Sequence, residues 1–152
     1  MVREGEDFTT LIGPTVWYLN HRLALDISID TYALDDLDRS NILPHHWEDL
    51  AALIKDKYDD YESFIITHGT NTLGYTCAAL SFALPNPAKP IILTGSQVSA
   101  WLPGSDAHAN LENAVRVAVW KRLGDGPPIR GVIAVFGSHI ITGTPVTQVS
   151  QF

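Results

Sequence analysis

One apolar run in the chain ends in a cluster of groups able to do chemistry. Residues 64–75 read FIITHGTNTLGY, so Phe64, Ile65 and Ile66 give way to Thr67, His68, Gly69, Thr70, Asn71 and Thr72. Hydroxyls, an imidazole and an amide can donate, accept and orient hydrogen bonds. The cluster contains no carboxylate to take a proton or to pair with a cation. What it offers is the positive end of a following helix, whose free N–H groups favour an anion, with Gly69 permitting close approach of the backbone. The bland alternative is that Thr67, Thr70 and Thr72 only cap that helix and fill the turn. A second run, LTGSQ at 93–97, repeats the pattern of small, hydroxylated and amide residues. Two such ends in successive units favour a site over a cap.

These ends must be held by strands and helices, and the chain alternates short apolar runs with helix-length amphipathic segments. LALDIS (23–28) reads as a strand. PHHWEDLAALIKDKYDD (44–60) reads as a helix with Pro44 in its first turn, Asn41 as its cap, and Trp47, Leu50, Leu53 and Ile54 on its apolar face. SFIIT is the next strand, and TLGYTCAALSFAL from Thr72 is a helix apolar on more than one face, stopped by PNPAKP. PIILTG is a strand, SDAHANLENAVRVAVWKRL a helix opened by Ser105 or Asp106, GDGPP a break and RGVIAVF a last strand. The order β-α-β-α-β-α-β with continuous apolar strands predicts an α/β fold: a three-layer Rossmann-like domain with a mostly parallel sheet covered by helices on both faces. In such sheets ligands bind beyond the carboxyl ends of the strands, where THGTNT and LTGSQ fall.

Composition narrows the class. The 152 residues, 45% hydrophobic and 18% charged, suit one globular domain with a sizeable core. A net charge of −7 without a basic stripe argues against a nucleic-acid partner. No apolar run approaches the roughly 18 residues of a membrane span, and MVREGEDFTT lacks a signal-peptide core, so no membrane partner and a cytoplasmic location are expected. Cys77 is alone and sits in TCAALSFAL, which predicts a buried, inert thiol. None of the six histidines pairs at zinc-ligand spacing, so no metal is expected, and His45 and His46 read as surface or capping residues. Trp17, Trp47, Trp101 and Trp120 read as core or interface aromatics.

The runs ITHGTNT (66–72), KPIILTGSQ (89–97), PGSDAHANLENAVRVA (103–118) and VFGSHIITGTPVT (135–147) resemble, in order and spacing, the asparaginase/glutaminase family. Among its branches they are most similar to the cytosolic type I enzymes. LDRSNILPHHW (37–47) resembles the family's substrate loop and the helix after it. The resemblance implies a hydrolase that splits the side-chain amide of L-asparagine into aspartate and ammonia, with no metal or organic cofactor and a small amino acid (L-asparagine or L-aspartate) as partner. It also implies homo-oligomer contacts, through a second domain that would follow.

Family chemistry uses a threonine nucleophile, because an amide is a poor electrophile and a covalent acyl-enzyme divides its hydrolysis into two easier steps. One family threonine comes from an N-terminal Thr-Gly-Gly-Thr motif, a second from Thr-His-Gly-Thr-Asp-Thr, and a lysine backs the latter. Carried over by resemblance, Thr70 is the second threonine, preceded by Gly69. Asn71 replaces the aspartate that holds the substrate ammonium, and Gln148 falls where the lysine is expected. In the substrate loop Arg39 takes the place of a serine, with Ser40 in register, and a guanidinium there could meet a carboxylate or fill the pocket. Residues 1–30 contain no Thr-Gly-Gly-Thr. The expectation is that residues 1–152 form the family's N-terminal α/β domain without that motif or the second domain, with hydrolysis impaired or absent. The competing reading is a non-catalytic amino-acid-binding or interaction module built on the same fold. A weaker third is the amidotransferase branch that works on misacylated tRNA, disfavoured by the acidic balance. Asp106 and Asn110 match a family Asp-x-x-x-Asn signature and read as residues that brace the site, and His68 as a structural neighbour of it.

Overall fold

The computed structural model describes residues 8–32, 34, 42–124, 126–143 and 148–151. They divide into two compact units, 1–35 and 36–152.

In the first unit, helix α1 spans Phe8–Arg22 and accommodates Pro14. LALDIS follows it and is not a strand. Ala24 takes a left-handed φ of 52°, which interrupts any strand at its second residue. The side-chain amide of Asn20 then donates to the Ile27 carbonyl at 3.0 Å and accepts from the Ile27 N–H at 2.9 Å. A neighbouring strand would have needed that same backbone pair.

The second unit begins with α2 (Pro44–Asp56), shorter than the sequence pattern suggested, because Lys57 leaves the helical region at its C-cap. Its N-cap is Leu43 rather than Asn41, which lies outside the described residues. Leucine has no capping oxygen, so the help comes from three residues on: His46 Nδ1 accepts the Leu43 N–H at 2.9 Å. That is the reciprocal half of a capping box, with histidine in the role usually held by glutamate. Strand β1 (Phe64–Thr67), helix α3 (Thr70–Ala83), strand β2 (Pro90–Thr94), helix α4 (Ala107–Ala118), the short helix α5 (Trp120–Leu123) and strand β3 (Gly131–Phe136) follow. The long helix expected over 105–123 is therefore two pieces, divided at Val119 and closed by Gly124 at φ 75°.

Strands β1, β2 and β3 pair in parallel, with Thr67 opposite Thr94 and Leu93 opposite Ala134. RGVIAVF is not the last strand. β4 (His139–Thr142) returns antiparallel on β3 across Gly137 and Ser138, and β5 (Gln148–Gln151) pairs antiparallel with β4, giving a five-stranded sheet in the order β1-β2-β3-β4-β5.

Alternation along β2 and β3 divides the core between two faces. Ile91, Leu93, Val132 and Ala134 pack with Leu50, Ala51 and Ile54 of α2 and with Cys77 and Leu80 of α3. Ile92, Ile133 and Val135 pack with Ala114 and Val117 of α4 and with Ile140 of β4. The sheet is thus covered on both faces, and Ile91, Ile92 and Leu93 are fully buried. Each such side chain contributes about 1.5–3 kcal/mol by leaving water. A topological consequence follows. The chain steps from β1 to β2 to β3 in one direction, yet α3 lies on one face and α4 on the other. The two crossovers therefore have opposite hands, and one departs from the right-handed rule that nearly all such units obey.

Candidate functional site

The carboxyl ends of β1, β2 and β3 are tied into one platform by polar groups. The parallel ladder runs one step past β1, where the His68 N–H donates to the Thr94 carbonyl at 2.8 Å. Thr94, itself 2% exposed, donates its hydroxyl to the Val135 carbonyl at 2.8 Å, linking β2 to β3. Gly95 follows. A Cβ on Gly95 would sit 2.2 Å from the His68 carbonyl oxygen, so only glycine lets the two turns approach. Gly69 has an ordinary extended backbone at φ −65°.

Asp106 and Asn110 brace the second turn. Asp106 is the N-cap of α4, but its carboxylate makes no cap hydrogen bond to the first-turn backbone. Oδ1 accepts the N–H groups of Gln97 at 3.0 Å and Val98 at 3.1 Å, while Oδ2 accepts from Asn110 Nδ2 at 2.9 Å. Hydrogen bonds from the Val98 backbone above all, then from Gln97 and Asn110, hold the Asp106 carboxyl below its ordinary range. Buried Asn110 also donates Nδ2 to the Gly95 carbonyl at 2.8 Å and accepts the Gly137 N–H at 2.9 Å. One amide thereby joins the ends of β2 and β3.

The first turn is built differently. Thr70, Asn71 and Thr72 occupy the opening turn of α3, two residues earlier than the sequence pattern placed the helix start. The N-cap is Gly69, and among the described residues no side-chain cap hydrogen bond is made there. Thr70 is half-buried and Asn71 exposed. The Thr72 hydroxyl oxygen is buried and has no hydrogen-bond partner among the described residues. First-turn N–H groups and the positive end of a 14-residue helix therefore face this turn without an internal anion.

Beside it, both His68 ring nitrogens are engaged: Nδ1 lies 2.6 Å from the Gly69 carbonyl oxygen and Nε2 lies 2.9 Å from Thr76 Oγ1. Thr76 in turn accepts the Trp47 indole N–H at 3.0 Å. Burial lowers the His68 pKa below that of a free imidazole, only partly offset by the Gly69 bond. Sequence reasoning did not find Thr76 or the Trp47 contact. The signal was an indole N–H on an otherwise apolar helix face, which requires a partner when covered. Trp17 and Trp101 are well exposed, so neither is a core aromatic.

Of the residues singled out from sequence, Gly69, Thr70 and Asn71 lie together in one turn. Arg39 and Ser40 lie outside the described residues. Gln148 is on β5, at the opposite edge of the sheet from β1, about 19 Å away by four strand spacings. Cys77 is buried, its thiol pushed up to about 11 by desolvation. Among the described residues no group of three or more His, Cys, Asp or Glu side chains could hold a metal ion. No helix among them is long and apolar enough to cross a membrane. A recess of about 410 Å³ lined by Tyr58, Leu84 and Pro85 lies at the amino ends of the strands, away from this platform.

An open α/β sheet whose carboxyl ends carry an uncapped helix start beside a braced turn is the scaffold of a small-ligand site. Residues 15–152 match the model of the asparaginase N-terminal domain, and the chain belongs to the asparaginase family. It is 41% identical over 112 residues to L-asparaginase 1 of Escherichia coli K12, an alignment covering 74% of this chain and 31% of that protein. The structure of the thermostable L-asparaginase from Thermococcus kodakarensis superposes with a TM-score of 0.70 at 36% identity, covering 77% of this chain and 34% of that one. The structure of L-asparaginase I from Vibrio cholerae superposes with a TM-score of 0.62 at 40% identity, covering 70% of this chain and 31% of that one. The chain thus spans about a third of the length of these L-asparaginase relatives.

Proposed function

We propose that this chain is an asparaginase-type amidohydrolase domain whose amino-acid site lies at the carboxyl ends of β1 and β2, and that it hydrolyses L-asparagine poorly or not at all by itself. One observation carries the reading: Thr70 and Asn71 open α3 at a glycine N-cap, without a capping side chain, beside the unpartnered Thr72 hydroxyl. In this reading the first-turn N–H groups and the helix dipole receive a carboxylate or a developing oxyanion, and the Thr70 hydroxyl faces the amide carbon. Asn71 stands where the resemblance puts the ammonium-binding aspartate. Its amide can accept one hydrogen bond from that group but brings no charge and takes no proton. Gln148, aligned with the family's lysine, likewise cannot act as a base, while Arg39 and Ser40 belong to the proposed substrate loop.

Removing one polar group from such a constellation commonly costs about 10² to 10⁴ in rate, and groups acting together are non-additive. The purified chain is therefore expected to release no ammonia from L-asparagine or L-glutamine above buffer in a coupled assay. Steady multiple turnovers abolished by Thr70→Ala would overturn the impairment. Absence of L-aspartate binding by the folded chain would remove the site itself.

A further inference from the structure

We infer that Trp47, Thr76 and His68 form a one-way hydrogen-bond relay that aims the Thr70 N–H into the candidate site, which makes all three positioning residues. The inference rests on the site proposed above and adds what holds its first donor in place. Direction follows from which groups can only donate or only accept. The Gly69 carbonyl can only accept, so the His68 nitrogen 2.6 Å from it, Nδ1, carries the proton. At the other end the Trp47 indole N–H can only donate, and its 3.0 Å partner is the Thr76 hydroxyl oxygen. Between them the Thr76 hydroxyl proton points along the 2.9 Å contact to a bare His68 Nε2. Every donor then has an acceptor, from the indole through the hydroxyl and imidazole to the carbonyl. A cationic His68 would instead put two donors on the Thr76 oxygen and leave the hydroxyl proton to find another acceptor.

The effect on the site comes through one peptide plane. The Gly69 carbonyl and the Thr70 N–H belong to the same planar trans peptide and point in opposite directions. Fixing the carbonyl against His68 therefore fixes where the first N–H of α3 points. Gly69 supplies no side chain to do this, and the helix has no side-chain cap. Thr76 is 1% exposed, so water does not compete for its hydroxyl. Trp47 sits on α2 and Thr76 on α3, so the relay references the turn to two packed helices instead of to the loop alone.

The test uses the full chain, isotope-labelled, as wild type, Thr76→Ser and Thr76→Val. Long-range proton–nitrogen correlation reads the His68 tautomer, and the backbone amide resonances of Thr70 and Asn71 read the turn. Wild type and Thr76→Ser should show a protonated Nδ1 and a bare Nε2, with unchanged turn amides. Thr76→Val should lose that tautomer bias, shift both amides, and weaken L-aspartate binding about 5-fold, the equivalent of one ordinary hydrogen bond. A wild-type imidazole protonated at Nε2 overturns the relay, and this arm alone decides if Thr76→Val does not fold. Unshifted Thr70 and Asn71 amides in a folded Thr76→Val also overturn it. If no variant binds L-aspartate while tautomer and amides respond as stated, the relay stands and the proposed ligand falls.

Discussion

THGTNT and LTGSQ look alike in the sequence, and the structure gives them opposite character. At the end of β2 the backbone groups are taken: Asp106 accepts the N–H groups of Gln97 and Val98, Asn110 holds the Gly95 carbonyl, and the Thr94 hydroxyl is bound to Val135. At the end of β1 a helix opens on glycine with no capping side chain and with the Thr72 hydroxyl unpartnered. One turn is a fixed wall and the other keeps donors available. A polar strand end is therefore a binding site only where its donors are not already satisfied from within, a property that residue type alone does not reveal.

The contrast is broken most severely at Asn110. Replacement by alanine leaves the half-buried Gly95 carbonyl and the Gly137 N–H without their partner. Asn110→Ala should lose about 1–3 kcal/mol in urea unfolding, since each of the two hydrogen bonds contributes about 0.5–1.5 kcal/mol. A loss below about 1 kcal/mol would mean that the second turn does not depend on this amide. The two threonines sharpen the comparison. Thr94→Val removes a buried hydroxyl that donates to Val135, and should cost about 1–2 kcal/mol. Thr72→Val removes a buried hydroxyl that has no partner among the described residues and should raise stability by about 1 kcal/mol, while lowering the affinity for any ligand that uses it. Equal costs at the two positions would erase the distinction.

Acid acts on both turns with the same sign. Asp106 is depressed in the fold, so its contribution is present above the unfolded carboxylate value of about 3.9 and is lost as pH falls through the lower folded value. His68 is also depressed, by burial, so the unfolded chain binds its proton first and stability declines as pH falls from about 6.5 through the folded value. Unfolding measured from pH 7 to pH 3 should show the His68 part first, missing in His68→Gln, and the Asp106 part later, missing in Asp106→Asn. A stability that rises on acidification through pH 6 would contradict the His68 assignment.

Much of the second unit was legible from the sequence. Continuous apolar runs bounded by Pro and Gly gave β1, β2 and β3, and the apolar face of Leu50, Ile54 and their neighbours gave α2. The β4 return was missed although Gly-Ser between VIAVF and HIIT is a hairpin signal, with Gly137 at φ 55° suited to the first central position of the turn. LALDIS misled because its apolar alternation fits a strand, while the partner of Ile27 is a side chain, Asn20, that no periodicity announces. That Thr70 and Asn71 fall between β1 and the body of α3 was legible. The distinction between the two turns was not, because it depends on where Asp106 and Asn110 reach in three dimensions.

Asn71, the exposed residue at the second position of α3, decides between the two readings of this turn. Calorimetric titration of wild type and Asn71→Asp with L-aspartate, with circular dichroism to confirm the fold, measures whether an ammonium group is received there. A charge-assisted hydrogen bond contributes about 1.5–3 kcal/mol, so Asn71→Asp should bind about 10-fold more tightly or better, still without hydrolysis. Equal affinities, or no binding by either folded protein, would show that the start of α3 is a helix end and not an amino-acid site.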